Sequence, residues 1–209
     1  VDFWKQKMEV AYQLRKTIGL VKNQQTNVYR LFNAEGDGVS GLIIDIYNKV
    51  AVFQGHSIGM KIAKHDIADA LKAVFGKSLT AIYDKSAGQT GSETETINEY
   101  LFGNANDCEV LENGLKFGIN YETGQKTGFF IDQRDNRQLL AQYAKSKKVL
   151  NTFCYTGGFS CYALAAGAER GEDRGERAFE IAHRVGSCIE RRERIDQHDL
   201  AVEAREVVA

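Results

Sequence analysis

Residues 149–160, VLNTFCYTGGFS, constrain the possible folds of this chain more than any other segment. An apolar stretch ends there in a turn that contains Gly157 and Gly158, and apolar residues at helical spacing follow it. With its flanking residues, the segment predicts a helix, a strand, a glycine turn and a second helix, at 132–145, 148–153, 155–158 and 159–168. This order is typical of the first part of a doubly wound α/β sheet, in which ligands bind beyond the carboxyl ends of the strands.

The glycine pair narrows the kind of ligand that such a turn could bind. Glycine lets the backbone approach a ligand closely, and the N-terminus of the following helix offers unpaired N–H groups. The turn lacks the GxGxxG spacing of dinucleotide-binding folds, and the chain contains no GxxxxGK[ST] sequence, which disfavours a P-loop NTPase. Two interpretations stay open from this turn alone: the floor of a cofactor pocket, or a structural turn without a ligand.

A second polar motif lies at 124–137, with the sequence GQKTGFFIDQRDNR. Asp132, Gln133, Arg134 and Arg137 fall within one and a half predicted helical turns, close to an aromatic pair. So dense a group of hydrogen-bonding side chains suits a polar, charged ligand. The alternative is a capped helix, with Asp132 as its N-cap and the arginines in solvent.

The first half of the chain predicts a separate small α+β module over residues 28–105. An amphipathic helix is predicted before it, at 2–18. The elements of the module are a strand at 29–32, a glycine-rich turn at 35–41, strands at 42–47 and 50–54, a helix at 59–75, a strand at 81–83 and a loop at 86–96. Asn113-Gly114 stands between two apolar runs and predicts a β-hairpin.

Composition places the chain among folded proteins. Apolar residues make up 43% and charged residues 26%, close to globular averages and unlike disordered or collagen-like chains. No apolar run approaches the ~18 residues of a membrane span, and charges from Asp2 onward leave no signal-peptide core, which predicts a cytoplasmic protein without a membrane partner. The four cysteines show no CxxC spacing, so we expect small buried residues and no metal site.

A change in composition separates residues 169–209 from the rest. All fifteen lysines and all eleven asparagines lie within residues 1–168, whereas residues 169–209 hold eight arginines. The chain starts at Val1 rather than Met and contains no proline, so we expect an excerpt, or an end from another reading frame. A charged surface helix is the alternative. No buried strand is expected after residue 168, and neither Glu172 nor Asp173 is predicted to follow a strand.

Three long motifs together resemble one known family. They are EGDGVSGLIIDIY (35–47), ENGLKFGINYETGQKTGFFIDQRDNR (112–137) and VLNTFCYTGGFSCYALAAGA (149–168). They are similar to the large-subunit ribosomal RNA cytosine-5 methyltransferases, class I enzymes that use S-adenosyl-L-methionine, and the resemblance covers residues 3–168. It implies an α/β fold, in which an α+β central domain precedes a Rossmann-like methyltransferase sheet. The family's N-terminal PUA RNA-binding domain and most of its catalytic domain are expected to be missing here.

The resemblance also implies a domain order, a cofactor and a partner. The expected parts are an N-terminal helix and linker (1–27), the central α+β domain (28–108), a β-hairpin with the first part of the methyltransferase domain (109–168) and an atypical Arg/Glu-rich tail (169–209). The cofactor is S-adenosyl-L-methionine, and the partner is large-subunit ribosomal RNA. The oligomeric state stays open, with a homodimer as one option.

The cofactor-binding residues implied by the resemblance fall into two groups. Those of the glycine motif would contact the methionine and adenosyl parts of the cofactor: Phe153, Cys154, Tyr155, Thr156, Gly157, Gly158 and Phe159. Those of the preceding motif would help to hold the cofactor from the other side: Thr127, Gly128, Phe129, Asp132, Gln133, Arg134 and Arg137.

The catalytic residue stays unassigned. Cytosine-5 methyltransferases generally add a cysteine thiolate to carbon 6 before methyl transfer, and the family's cysteine lies far downstream. Cys154 and Cys161 belong to the cofactor turn and its helix, and Cys188 lies in no matching motif. We therefore expect an incomplete RNA methyltransferase that is inactive alone. The alternatives are a noncatalytic RNA- or ribosome-binding module and a methyltransferase that acts on another base, such as guanine.

Overall fold

The computed structural model describes residues 2–88, 97–105, 108–152 and 154–173. The chain divides into two compact units. The first unit is made of Val1–Gly114 and Gly118–Ile131, and the second of Leu115–Phe117 and Asp132–Ala209. No helix among the described residues is both long enough and apolar enough to cross a membrane.

A five-stranded sheet forms the centre of the first unit, in the order β1-β2-β3-β4-β5. Its first three strands are an antiparallel meander, because short turns connect them. β4 is parallel to β3 and antiparallel to β5. The strands are β1 (Val28–Asn33), β2 (Leu42–Tyr47), β3 (Val50–Gly55), β4 (Ala81–Asp84) and β5 (Glu99–Phe102).

Helices supply the apolar side chains that pack on this sheet. α1 (Asp2–Thr17) confirms the amphipathic helix predicted at 2–18, and it buries Met8 and Ala11. These side chains share one core with Ile67, Leu71 and residues of the strands. Among the described residues, the largest fully buried side chains are Tyr47, Phe32, Phe53, Met8, Leu31, Leu42, Ile44, Ile46, Ile67, Leu71 and Ile82.

The helix predicted at 59–75 is two helices in the structure, α2 (Ile58–Ile62) and α3 (Lys64–Phe75). The Ser57 hydroxyl caps the first of them by accepting the Met60 N–H. Ala63 separates the two helices because its ψ of 0° departs from α-helical geometry. Together they form the crossover that the parallel strands β3 and β4 require.

The predicted hairpin is confirmed by β6 (Cys108–Glu112) and β7 (Leu115–Ile119), which form a two-stranded sheet. Asn113 and Gly114 both have positive φ, 50° and 80°. This is the type I′ geometry that Asn-Gly adopts most readily between antiparallel strands.

The second unit contains the elements predicted around the glycine turn and one that was not predicted. They are α4 (Arg134–Ala144), β8 (Lys148–Asn151), α5 (Gly158–Ala165) and β9 (Arg170–Asp173). β9 is parallel to β8, with Lys148 opposite Arg170. The sequence analysis expected no buried strand after residue 168 and did not predict β9. Its sequence, RGED, has little strand propensity, but it completes a β-α-β unit through pairing with β8.

Candidate cofactor site

The glycine turn of the second unit has an unusual backbone. Tyr155 has a φ of 39°, which is uncommon for a residue with a side chain, and Gly157 has a φ of 69°. The Gly157 N–H donates to the Cys154 carbonyl at 2.6 Å, which closes the turn. The Gly157 carbonyl then accepts the Cys161 N–H at 2.9 Å, so α5 begins at Gly158, one residue earlier than predicted.

Gly158 is close to the side chain of Arg137 on α4. A Cβ at position 158 would lie 3.1 Å from Arg137 Cδ, 3.7 Å from Nε and 3.8 Å from Nη1. The sequence interpretation was that a side chain in this turn would fill a ligand pocket. The structure provides another reason for glycine at 158, which is room for an arginine.

Arg137 is almost fully buried, with 2% of its surface exposed. Its guanidinium carbon lies 6.0 Å from the ring centres of both Phe159 and Tyr162. This is the range of cation–π attraction. The Tyr162 ring in turn stacks on Phe117 at 6.3 Å. Arg137, the last residue of the second motif, is thus close to Gly158 in the turn and to the first residues of α5.

The alternative of a capped helix with solvated arginines is wrong. Asp132 is exposed and lies in a 3₁₀ turn, and α4 begins two residues later. Gln133 is at the N-cap position and makes no side-chain cap bond; its Oε1 accepts a bond from Asn136 instead. Arg134 is half-buried and Arg137 is buried, so neither arginine is a fully solvated surface residue.

Three of the four cysteines are buried thiols outside any disulfide: Cys108, Cys154 and Cys161. This confirms the expectation of small buried residues for these three. Cys154 lies in the turn, and the Ser160 hydroxyl beyond it accepts a bond from Asn151 at the end of β8. Thr156 and Phe159 are half-buried. Phe153 and Cys188 lie outside the described residues.

The remaining three predicted site residues, Thr127, Gly128 and Phe129, belong to the first unit and are buried there. The Thr127 hydroxyl donates to Asp45 Oδ2 at 2.6 Å and lies 2.7 Å from the Tyr47 hydroxyl. Because the single proton of Thr127 goes to Asp45, Tyr47 is the donor in the second bond. The side chain of Thr127 is therefore engaged by the sheet.

Gly128 is required by the backbone around it. Its φ is +119°, and a Cβ there would lie 2.8 Å from Tyr121 Cα and 3.1 Å from the Asn120 carbonyl oxygen. Backbone atoms cannot move aside as a flexible side chain can. Glycine is therefore needed at position 128 because two chain segments approach each other closely there.

Sequence reasoning missed Asp45 and Tyr47 as partners of this motif. Asp45 is fully buried and accepts two bonds from Arg30, at 2.9 and 3.1 Å. Burial, together with the charge of Asp45, raises the pKa of the Tyr47 hydroxyl well above its usual value, and the Phe129 N–H also bonds to that hydroxyl. The available signal was one acid inside the apolar run LIIDIY, because a buried carboxylate needs partners.

The carboxyl end of β9 holds two acids, Glu172 and Asp173. The expectation from the sequence was that neither acid follows a strand. That expectation is wrong, since both are the last residues of a strand parallel to β8. In nucleotide-binding α/β folds an acid near the end of the second strand binds the ribose hydroxyls.

Comparison with known proteins identifies the class of this chain. It belongs to the S-adenosylmethionine-dependent methyltransferase family, whose profile matches residues 68–201. The match does not stop at the change in composition after residue 168. The match confirms the predicted S-adenosylmethionine-dependent methyltransferase class, and action on carbon 5 of a cytosine stays a prediction.

Particular relatives agree with this assignment. The chain is 43% identical over 169 residues to the ribosomal RNA large subunit methyltransferase I of Pseudoalteromonas atlantica. This alignment covers 79% of this chain and 42% of the relative. It is 36% identical to the protein of that name from Tolumonas auensis, with 87% and 46% covered. The chain thus spans less than half the length of these two curated relatives.

A solved structure is similar over almost the whole chain. SMU.776, described as a candidate methyltransferase and complexed with SAH, matches with a TM-score of 0.78 and 25% identity. The match covers 98% of this chain and 54% of that one. It confirms the predicted α/β fold class.

Proposed function

We propose that this chain is part of an S-adenosyl-L-methionine-dependent methyltransferase of large-subunit ribosomal RNA that acts on carbon 5 of a cytosine. The names of the relatives support the RNA substrate. The three motifs resembling the cytosine-5 family support the base. A cytoplasmic location and a ribosomal RNA partner belong to the same proposal.

The observation that carries the proposal is the β8-turn-α5-β9 unit. Its turn brings backbone N–H groups and the start of α5 to the end of a parallel strand, where the folds of this class bind nucleotides. Polar side chains and aromatic rings surround the turn, which fits a cofactor that has a charged amino acid and a sulfonium. The cofactor, when bound, supplies an activated methyl group.

The chain's own residues would hold this cofactor in three ways. Residues of the turn, Tyr155 to Gly158, would bind through backbone groups. An acid at the end of β9, Glu172 or Asp173, would accept bonds from the ribose hydroxyls. For Thr127, Gly128 and Phe129, a direct cofactor contact rests on the family resemblance alone, as does the division into a central domain and the first part of a methyltransferase domain.

Calorimetry with S-adenosylhomocysteine tests the cofactor part of the proposal. We expect wild-type chain to bind and Gly157→Val to lose binding, because valine cannot adopt the positive φ of Gly157 without strain. Gly59→Val is a matched control, since a Cβ at Gly59 has no neighbour within 4 Å. Equal affinity of Gly157→Val and wild type would contradict the assignment of the turn.

A chimera tests the substrate. The matched segment of the Pseudoalteromonas atlantica relative is replaced by residues 1–168 of this chain, and undermodified ribosomal RNA is analysed for 5-methylcytidine by mass spectrometry. We expect 5-methylcytidine from the chimera and none from the isolated chain, in which no nucleophile is assigned. A chimera that binds S-adenosylhomocysteine but methylates a guanine would support the alternative base. RNA binding without cofactor binding would support the noncatalytic module.

A further inference from the structure

We infer that Arg137 is a positioning residue, whose side chain sets the shape of the glycine turn through its contact with Gly158. Its effect on cofactor affinity rests on the proposed function above. Its effect on the turn itself does not, because the contact is within the protein. In this inference Gly158 and Arg137 are a matched pair, and the glycine exists to admit the arginine.

The spacing between the two residues is the first argument. A separation of 3.1 Å between a Cβ at 158 and Arg137 Cδ is shorter than ordinary van der Waals contact between carbon atoms. An alanine at 158 would therefore push the arginine side chain by a few tenths of an ångström. Elsewhere a long side chain could move by that amount at little cost.

At this position the arginine has little freedom to move. Phe159 and Tyr162 are three residues apart on α5 and thus on the same side of the helix. The guanidinium carbon lies 6.0 Å from the centres of both rings, and a third ring, Phe117, stacks on Tyr162. Moving the arginine stem would pull its planar group off the two rings.

The nature of the side chain is the second argument. A lysine reaches the same depth but has no planar group to lie against two rings, and its ammonium is more strongly hydrated. A buried position with 2% exposure is therefore suited to arginine and not to lysine. Arg137 holds the first turn of α5 by packing, and the turn conformation at Gly157 follows from where that helix begins.

A double-mutant cycle tests the pair: wild type, Gly158→Ala, Arg137→Ala and the double variant, each measured by thermal unfolding. Alanine is the better helix former, so where it has room it stabilises a helix. We expect Gly158→Ala to lower Tm in the wild-type background and to raise it in the Arg137→Ala background. Gly59→Ala in α2, which has open space, is the matched control and should shift Tm equally in both backgrounds. Additive shifts for Gly158→Ala would overturn the inference.

S-adenosylhomocysteine affinity is measured on the same four proteins. We expect Gly158→Ala to weaken binding about fivefold in the wild-type background and less than twofold in the Arg137→Ala background. Ala144→Gly, at a buried site of α4 away from the turn, supplies a variant of lowered Tm with unchanged affinity. If Ala144→Gly weakens binding as much as Arg137→Ala does, the role of Arg137 is merely structural and the inference fails.

The two readouts separate failure of this inference from failure of the proposed function. A wild-type chain that binds no S-adenosylhomocysteine would count against the cofactor site, while the reversal of sign in Tm would still support the pair. Should Arg137→Ala fail to fold, Arg137→Val is used in its place, because valine also ends before the Cδ position.

Discussion

Two segments with similar glycine-containing polar motifs, one in each unit, make different contacts in the structure. In the first unit, Thr127 and Gly128 are buried by the sheet and by neighbouring backbone. In the second unit, Gly158 and Arg137 contact each other in a turn at the end of a strand. A dense polar motif therefore does not by itself identify a ligand site. In the first case the Thr127 hydroxyl is bonded to Asp45 of the sheet, and in the second the buried Arg137 packs against the start of α5.

The units also differ in how their sheets are completed. The first contains a five-stranded sheet and all eleven of the largest fully buried side chains among the described residues. The second pairs β8 only with β9 among the described residues, and a two-stranded sheet is marginal by itself. Packing of α4 and α5 therefore matters more for the stability of the second unit, which is why a single arginine can control its turn.

The largest effect is expected at Asp45. Asp45→Ala removes the acceptor of Arg30 and Thr127, and leaving buried partners unpaired typically costs 3–5 kcal/mol. We expect about 3 kcal/mol in the free energy of unfolding, because 39% of the Arg30 side chain is exposed and water can solvate it. Urea unfolding measures this. Asp69→Ala, at an exposed pair with Lys72, is the control and should leave the free energy of unfolding nearly unchanged, because water screens an exposed ion pair.

If Asp45→Ala lowered the free energy of unfolding as little as Asp69→Ala, the contrast between the units would lose its main support. Comparing Thr127→Ser with Thr127→Val tests the same hydrogen bonds separately. Serine keeps the hydroxyl that joins Asp45 to Tyr47, so it should retain most of the stability that Thr127→Val loses.

A smaller loss is expected at Gly128. Gly128→Ala places a Cβ 2.8 Å from the Tyr121 backbone at a φ of +119°, and strain of this kind costs about 1–3 kcal/mol. Gly118→Ala in β7 is the matched control, because a Cβ there meets nothing within 4 Å. Unfolding of both variants in urea is the measurement. Equal stability of the two would show that the loop can move away from Tyr121 and is not tightly fixed.

Much of the fold could be predicted because its elements have strong local signals. The meander strands β1 to β3 alternate with clear turns, and the Asn113-Gly114 pair specifies its own turn type. Two strands were not predicted. β9 has little strand propensity and forms a strand through its pairing with β8. β5 was missed although its EYLF sequence is apolar enough to form a strand.

The candidate site shows the same limit. The sequence could indicate Gly157, Gly158 and Arg137 as members of two motifs. It could not show that a Cβ at 158 would touch Arg137, because spacing along the chain carries no information about contacts between α4 and α5. The acid in LIIDIY was visible, but its partner Thr127 lies 82 positions away. Long-range pairing of this kind appears only in the folded chain.

At Cys108, in the first unit, we expect the smallest effect on stability, and the quantity to measure is the reactivity of its thiol. Burial raises the pKa of its thiol to about 12, and the Sγ donates to the Tyr47 carbonyl at 3.6 Å. The thiolate is the reactive form, and at pH 8 a pKa of about 12 leaves about 1 thiol in 10,000 ionised. We expect iodoacetamide to label Cys108 in native protein at under about 1% of its rate in urea, where the thiol has its ordinary pKa of about 8.5. Because the pKa is raised, native labelling should continue to rise about tenfold per pH unit from 8 to 10, where an ordinary thiol would already level off.

Peptide mass spectrometry resolves Cys108 from the other cysteines, and Cys108→Ser removes the signal. Labelling that levels off near pH 8.5 in the native protein would contradict the burial of the Cys108 thiol.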